Sequence, residues 1–205
     1  MKVLFSTAYM PPIAYMAALM KHATNGDELF IEEQETFPKQ TYRNRAVIMT
    51  ANGVKPLSVP VVRRNHSRTE EVLIDYKERW NVIHLRTLEA AYSASPYYLY
   101  YKDALEAILM HHYERLVDLN GALLEWLLER LKIGCTITAT TDFQTETTDA
   151  DYRNTFSPKV PYPTGNMPPY YQVFADRIPF TANLSIIDLL MNLGPEARSY
   201  LEKIH

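Results

Sequence analysis

A chain of 205 residues, 47% hydrophobic and 22% charged, has the composition of a folded globular protein, not of a disordered, fibrous or membrane chain. Its formal net charge of -3 gives no overall attraction to polyanions, so nucleic-acid or membrane-surface binding would need a local basic patch. The length suits one domain over residues 1–205. Cys135 is the single cysteine, which excludes an intramolecular disulfide and fits a reducing compartment, with the cytoplasm as the expectation.

The start, "MKVLFSTAYMPP", carries an apolar run that two prolines cut too short for a signal-peptide core. No segment reaches the roughly 18 to 20 apolar residues that cross a bilayer, so membrane insertion is not expected. "KVLFSTAY" predicts a buried strand, and "PPIAYMAALMKH" predicts a helix whose first turn tolerates proline. "ELFIEEQE" reads as a second strand. "RAVIMTANGVKPLSVPVV" reads as a hairpin with Asn52-Gly53 in its connection, and Pro56 and Pro60 confine its second arm to an edge. "EEVLIDY" adds a further strand.

The middle of the chain is helical by period, over "NVIHLRTLEAAYSAS", "YYLYYKDALEAILMHHY" and "LVDLNGALLEWLLERLKIG", the last ended by Gly134. "CTITATT" is strand-like. Residues 140–170 are polar and proline-rich without a period, which predicts a lid or mobile segment. In "NLSIIDLLMNLGPEA", Ser185 and Asp188 have capping-box spacing, Gly194 stops the helix and Pro195 begins the next. The fold class expected is mixed α/β: a central mixed sheet, an N-terminal strand-loop-helix, a hairpin, and a mostly helical middle and C-terminus.

One stretch stands out chemically. In "KQTYRNR", an extended backbone would place Lys39, Arg43 and Arg45 on one face. Such cations either meet the acids of "IEEQE" on a neighbouring strand or grip an anion. His84 is the most credible general base, although a histidine beside an apolar stripe is more often a hydrogen-bonded packing residue. His111 and His112 are adjacent and do not share a helix face, so no metal site is expected, and glycine-rich cofactor patterns are absent. Fifteen tyrosines supply phenols suited to core seams or to sugar pockets, Tyr9 and Tyr15 among them.

Several blocks in order, "AYMPPIAYMAAL", "KQTYRNRAVI", "LSVPV", "HLRTLEAAYSASPYYLYY", "LVDLN" and "NLSIIDLLMNLGPEA", resemble the WbqC-like family of bacterial polysaccharide-associated proteins, in its Bacteroidetes-type branch. Broader members carry Gln-Pro where this chain has Thr7-Ala8, and an Asp-rich stretch where it has Glu32-Glu33. The resemblance implies an acyl- or aminoacyltransferase of the glycine type acting on a nucleotide-linked amino sugar in O-antigen assembly, with an activated acyl donor. On that reading Lys39, Arg43 and Arg45 hold the diphosphate and His84 is the base. Asn44, with the helix start at Asn183 to Ser185, positions the substrate or stabilises the oxyanion, and Tyr9 and Tyr15 flank the sugar. The alternatives are a non-catalytic nucleotide-sugar module and a structural interaction protein; no cofactor or nucleic-acid partner is expected, and the oligomeric state is left open.

Overall fold

The computed structural model describes residues 1–144, 149–160 and 162–204. The chain opens with β1 (Lys2–Ser6), crosses through α1 (Ile13–Thr24) and returns in β2 (Glu28–Glu32). A hairpin of β3 (Arg45–Thr50) and β4 (Gly53–Ser58) follows, then the short β5 (Val61–Val62) and β6 (Leu73–Ile74). Three helices fill the middle: α2 (Trp80–Tyr92), α3 (Tyr98–Met110) and α4 (Leu116–Arg130). After β7 (Ile137–Ala139) and β8 (Ala150–Asp151), the chain ends in α5 (Ile186–Leu193) and α6 (Ala197–Leu201).

The protein is α/β, built on a four-stranded sheet of order β7-β2-β1-β8. All three pairings in it are parallel, so the central sheet is parallel instead of mixed. Among the described strands, antiparallel ladders form two separate ribbons, β3 with β4 and β5 with β6. The burial patterns explain this division. Four of the five residues of β1 are buried, as a parallel strand covered on both faces requires. β4 is largely exposed and carries Pro56, so it suits only a ribbon edge. In the hairpin, Thr50 pairs with Gly53, whose φ of 94° is a conformation that glycine adopts without strain.

Two helix ends differ from expectation. α4 stops at Arg130, before Gly134, because Lys132 takes the left-handed conformation and the Ile133 N–H reaches back to the Leu128 carbonyl, a Schellman closure. Ser185 does cap α5, accepting from the Ile187 N–H. Asp188, however, does not complete a capping box. It is buried and accepts from the Tyr92 and Tyr170 hydroxyls at 2.9 and 2.6 Å. Burial pushes its carboxyl upward against those bonds.

The start of α1 has no cap of its own; Pro12 precedes it. Asn183, itself left-handed at φ 55°, supplies the missing acceptor to the Ala14 N–H, and the Ile13 N–H goes to the Leu184 carbonyl. The segment 140–170, expected to be a lid, is in its described parts joined to the core. It contributes β8 to the sheet, and Tyr152 stacks on Phe5 with ring centroids 4.9 Å apart. Of that expected lid, residues 145–148 and 161 lie outside the described residues. Among the described residues, no helix is long and apolar enough to cross a membrane.

Candidate functional site

The stretch from Lys39 to Arg45 is not extended. Gln40 turns left-handed, and residues 42–43 form a tight turn before β3 begins at Arg45. Three cations that alternation would align are therefore dispersed. Lys39 is exposed. Arg43 is 2% exposed, and its guanidinium holds Glu35 through two contacts of 2.6 Å while also donating to the Arg153 carbonyl. Arg45 donates to the Ser58 hydroxyl across the hairpin. Asn44 donates to the Val59 carbonyl, extending the ribbon pairing. These residues neither converge nor leave a free guanidinium pair for a diphosphate.

His84 is not placed as a general base. It is 4% exposed, accepts or donates at 2.8 Å with the Tyr9 hydroxyl through Nδ1, and its ring also donates to the Ser58 carbonyl. A ring N–H committed to a carbonyl leaves Nδ1 as the acceptor, so the Tyr9 hydroxyl is the donor. Burial pushes the His84 pKa down to about 4. The Tyr9–His84 pair lies beside Trp80, in the seam between α2 and the segment after β1. Asn183 and Ser185 are likewise structural. The first three N–H groups of α5 go to the Pro11 carbonyl, the Ser185 hydroxyl and the Ser185 carbonyl, leaving none for an oxyanion.

The acids that follow β2 divide sharply. Glu32, wholly buried, accepts from the Gln34 N–H, the Thr140 hydroxyl, the Gln144 N–H and the Arg153 guanidinium. Glu35 pairs with Arg43. Between them Glu33 accepts no hydrogen bond and joins no ion pair at its carboxylate among the described residues. Burial is the main cause that holds its pKa above the usual carboxylate range.

Glu33 faces a cavity of about 390 Å³ beside the carboxyl ends of β1 and β2 and along β7. The strand side includes Thr7, Ile31, Glu33, Thr136 and Ile137; α4 contributes Asn120, Gly121, Leu124 and Glu125; Tyr15 and Cys135 also border it. Tyr15 is thus the one sequence-predicted site residue that borders it, although its hydroxyl is held by the Ser6 carbonyl. In parallel α/β sheets this end of the strands is where ligands bind, because the loops there are free to vary over a rigid scaffold.

Asn120 is the residue that composition concealed. It sits on the buried stripe of α4 formed by Leu116, Leu119, Leu123 and Leu127, where an apolar side chain would be expected. Its amide donates to the Thr7 hydroxyl at 3.0 Å and the Arg43 carbonyl at 2.8 Å. A buried amide interrupting a leucine stripe is the signal that could have found it.

A parallel-sheet α/β domain with an acidic cavity at its strand ends is the class that fold and site define. The chain belongs to the WbqC-like protein family, which matches residues 7–157. A relative from Mycobacterium tuberculosis, uncharacterized protein Rv1507c, is 32% identical over 121 residues, covering 58% of this chain and 52% of that protein. The chain thus spans about half the length of the curated relative it matches. No solved structure matches it.

Proposed function

We propose that the protein is an acyl- or aminoacyltransferase that acylates the amine of a nucleotide-linked amino sugar for surface polysaccharide of the O-antigen type, in the cytoplasm. The chemistry takes place in the cavity at the end of β2. The observation that carries the reading is the unpaired Glu33 carboxylate, partly desolvated on the wall of that cavity. A carboxylate raised towards neutral pH is matched to removing a proton from an attacking amine. The family resemblance supplies the reaction class.

In the step, the amine nitrogen attacks the carbonyl carbon of the activated donor and the N–C bond forms. Glu33 takes the nitrogen's proton, the bond from carbon to the leaving group breaks, and the leaving group departs with the electron pair. Thr7 accepts from Asn120, which leaves its own hydroxyl proton to donate to the carbonyl oxygen as charge develops.

The test is incubation of purified protein with nucleotide-linked amino sugars and activated glycine or acyl donors, followed by mass spectrometry of the amide. Glu33→Gln should lower the rate by roughly 10²-fold or more. In the wild type the rate should rise with pH through a pKa above the usual carboxylate range, a limb that the variant loses. Absence of amide with every donor class would overturn the reading, and sugar binding without turnover would leave a non-catalytic module.

A further inference from the structure

A second hollow, of about 400 Å³, lies between the β3-β4 hairpin and two later loops. Val47 and Val54 border it from the hairpin, Phe156 and Tyr162 from the loop after β8, and Asn183 from the approach to α5; Tyr42, just before β3, borders it too. It is distinct from the cavity that Glu33 faces, because the two share no lining residue. A packed ring pair links their walls, Tyr15 in one and Phe156 in the other, with centroids 5.5 Å apart.

Three polar groups on this wall are unused by the fold. The hydroxyls of the half-buried Tyr42 and Tyr162 make no hydrogen bond among the described residues, whereas Tyr9, Tyr15, Tyr92 and Tyr170 commit theirs to partners within the chain. The third is the Asn183 amide nitrogen. A backbone N–H can only donate, so the atom that meets the Ala14 N–H must be the Asn183 oxygen, and the nitrogen is left with both hydrogens to offer. None of the three belongs to the buried polar atoms without partners, so solvent, and hence a ligand, reaches each of them.

The remaining wall is apolar or uncharged, apart from the exposed Lys159, its single charged residue among those described. Apolar side chains set with rotatable hydroxyls match a sugar ring, which has C–H faces and a rim of hydroxyls that both donate and accept. A nucleobase is held best in a flat slot between parallel rings. Here Phe156 and Tyr162 are inclined by 36°, and Phe156 is already stacked on Tyr152 at 10°. A phosphate would meet one solvent-exposed lysine, whose attraction water largely screens.

We propose that this hollow is a second binding site, which takes a neutral sugar ring held by the Tyr42 and Tyr162 hydroxyls and the Asn183 amide nitrogen. It uses no residue of the cavity that Glu33 faces, so it stands or falls independently of the transferase reading.

The experiment is a titration of the purified full chain with the methyl glycosides of glucose, galactose and mannose, with uridine and with inorganic phosphate, followed by backbone amide shifts. At least one methyl glycoside should bind roughly fivefold or more tightly than uridine and phosphate, the effect of about one further hydrogen bond. Its shifts should centre on Tyr42, Val47 and Tyr162. Combining Tyr42→Phe with Tyr162→Phe keeps both rings and removes only hydroxyls that no group of the chain uses. The unfolding midpoint should therefore hold, while affinity for the glycoside drops roughly tenfold or more with the loss of two hydrogen bonds. Glu33→Gln should bind the glycoside as the wild type does. Failure of every glycoside to bind, equal binding of uridine or phosphate, or undiminished affinity in the double variant would overturn the proposal. So would shifts centred on the other cavity or loss of binding in Glu33→Gln.

Discussion

The stretch from Lys39 to Arg45 and the cavity at the end of β2 are opposites in charge, and they differ more deeply in how that charge is satisfied. In the first, the buried guanidinium is matched by Glu35 and the exposed cations face solvent or the hairpin. In the second, the Glu33 carboxylate is left without a hydrogen-bond or ion-pair partner among the described residues, in a partly dry space. A dense run of charge is conspicuous in a sequence, but what a ligand can use is charge that the fold has not already neutralised. The two kinds of region are separated by three-dimensional pairing and not by composition.

Perturbing the first region should therefore unfold the protein, whereas perturbing the second should change what it binds. The largest effect is expected for Arg43→Ala, which strands Glu35 and loses the tie to Arg153. Breaking a buried pair from one side costs roughly 3 to 5 kcal/mol, read as a lowered midpoint in urea. A fully stable variant would show that Arg43 is not structural and return it to the candidate ligands.

Next comes the acid response of His84. Its folded pKa of about 4 lies below the unfolded value near 6.5, so the unfolded chain binds the proton first. Stability from this residue is complete above the unfolded value and is lost as pH falls from there to about 4, reaching on the order of 3 kcal/mol. His84→Phe should flatten that slope in denaturation curves recorded between those pH values. A persistent slope would assign it to other groups.

Smaller still is the gain expected for Gly121→Leu, about 1 kcal/mol from replacing an exposed helical glycine, even as the cavity closes. Thermal unfolding should show a stabilised protein, and the filled cavity should no longer support amide formation. Smallest is Lys39→Ala, expected to change neither stability nor binding beyond about 0.5 kcal/mol. A marked loss of nucleotide-sugar affinity there would reinstate the basic stretch as a binding element.

Much of the architecture was legible because it is written in local period. The unbroken apolar run of β1, the proline before α1, the alternation around Asn52 and the leucine spacing of α4 each follow from neighbours in sequence. β8 was not legible, since two residues in a polar, proline-rich stretch carry no pattern and gain their strand character only by pairing with Val3 and Leu4. Nor was the turn at Gln40, which takes a positive φ without glycine.

The site was read in part. Tyr15 was named and does border the cavity, whereas Glu33 was visible as a counter-ion in a role that Glu35 fills for Arg43, and as part of the Glu32-Glu33 pair that departs from the family's Asp-rich stretch. Asn120 lay in a stretch quoted for its resemblance and not for its chemistry. Tyr9, His84, Asn44, Asn183 and Ser185 were conspicuous for the same reason that they are structural: polar groups in apolar settings must find partners, and these found them within the chain.

The bond from Asn183 to the Ala14 amide joins positions 169 apart, and β1 gains one of its two neighbours only when β8 has been made. During synthesis the β1-β2 pair must therefore leave the ribosome with both outer edges bare and the helix start unclosed. The β1-α1-β2 unit can collapse early, and its edges should depend on shielding until β7, β8 and the segment around Asn183 have emerged.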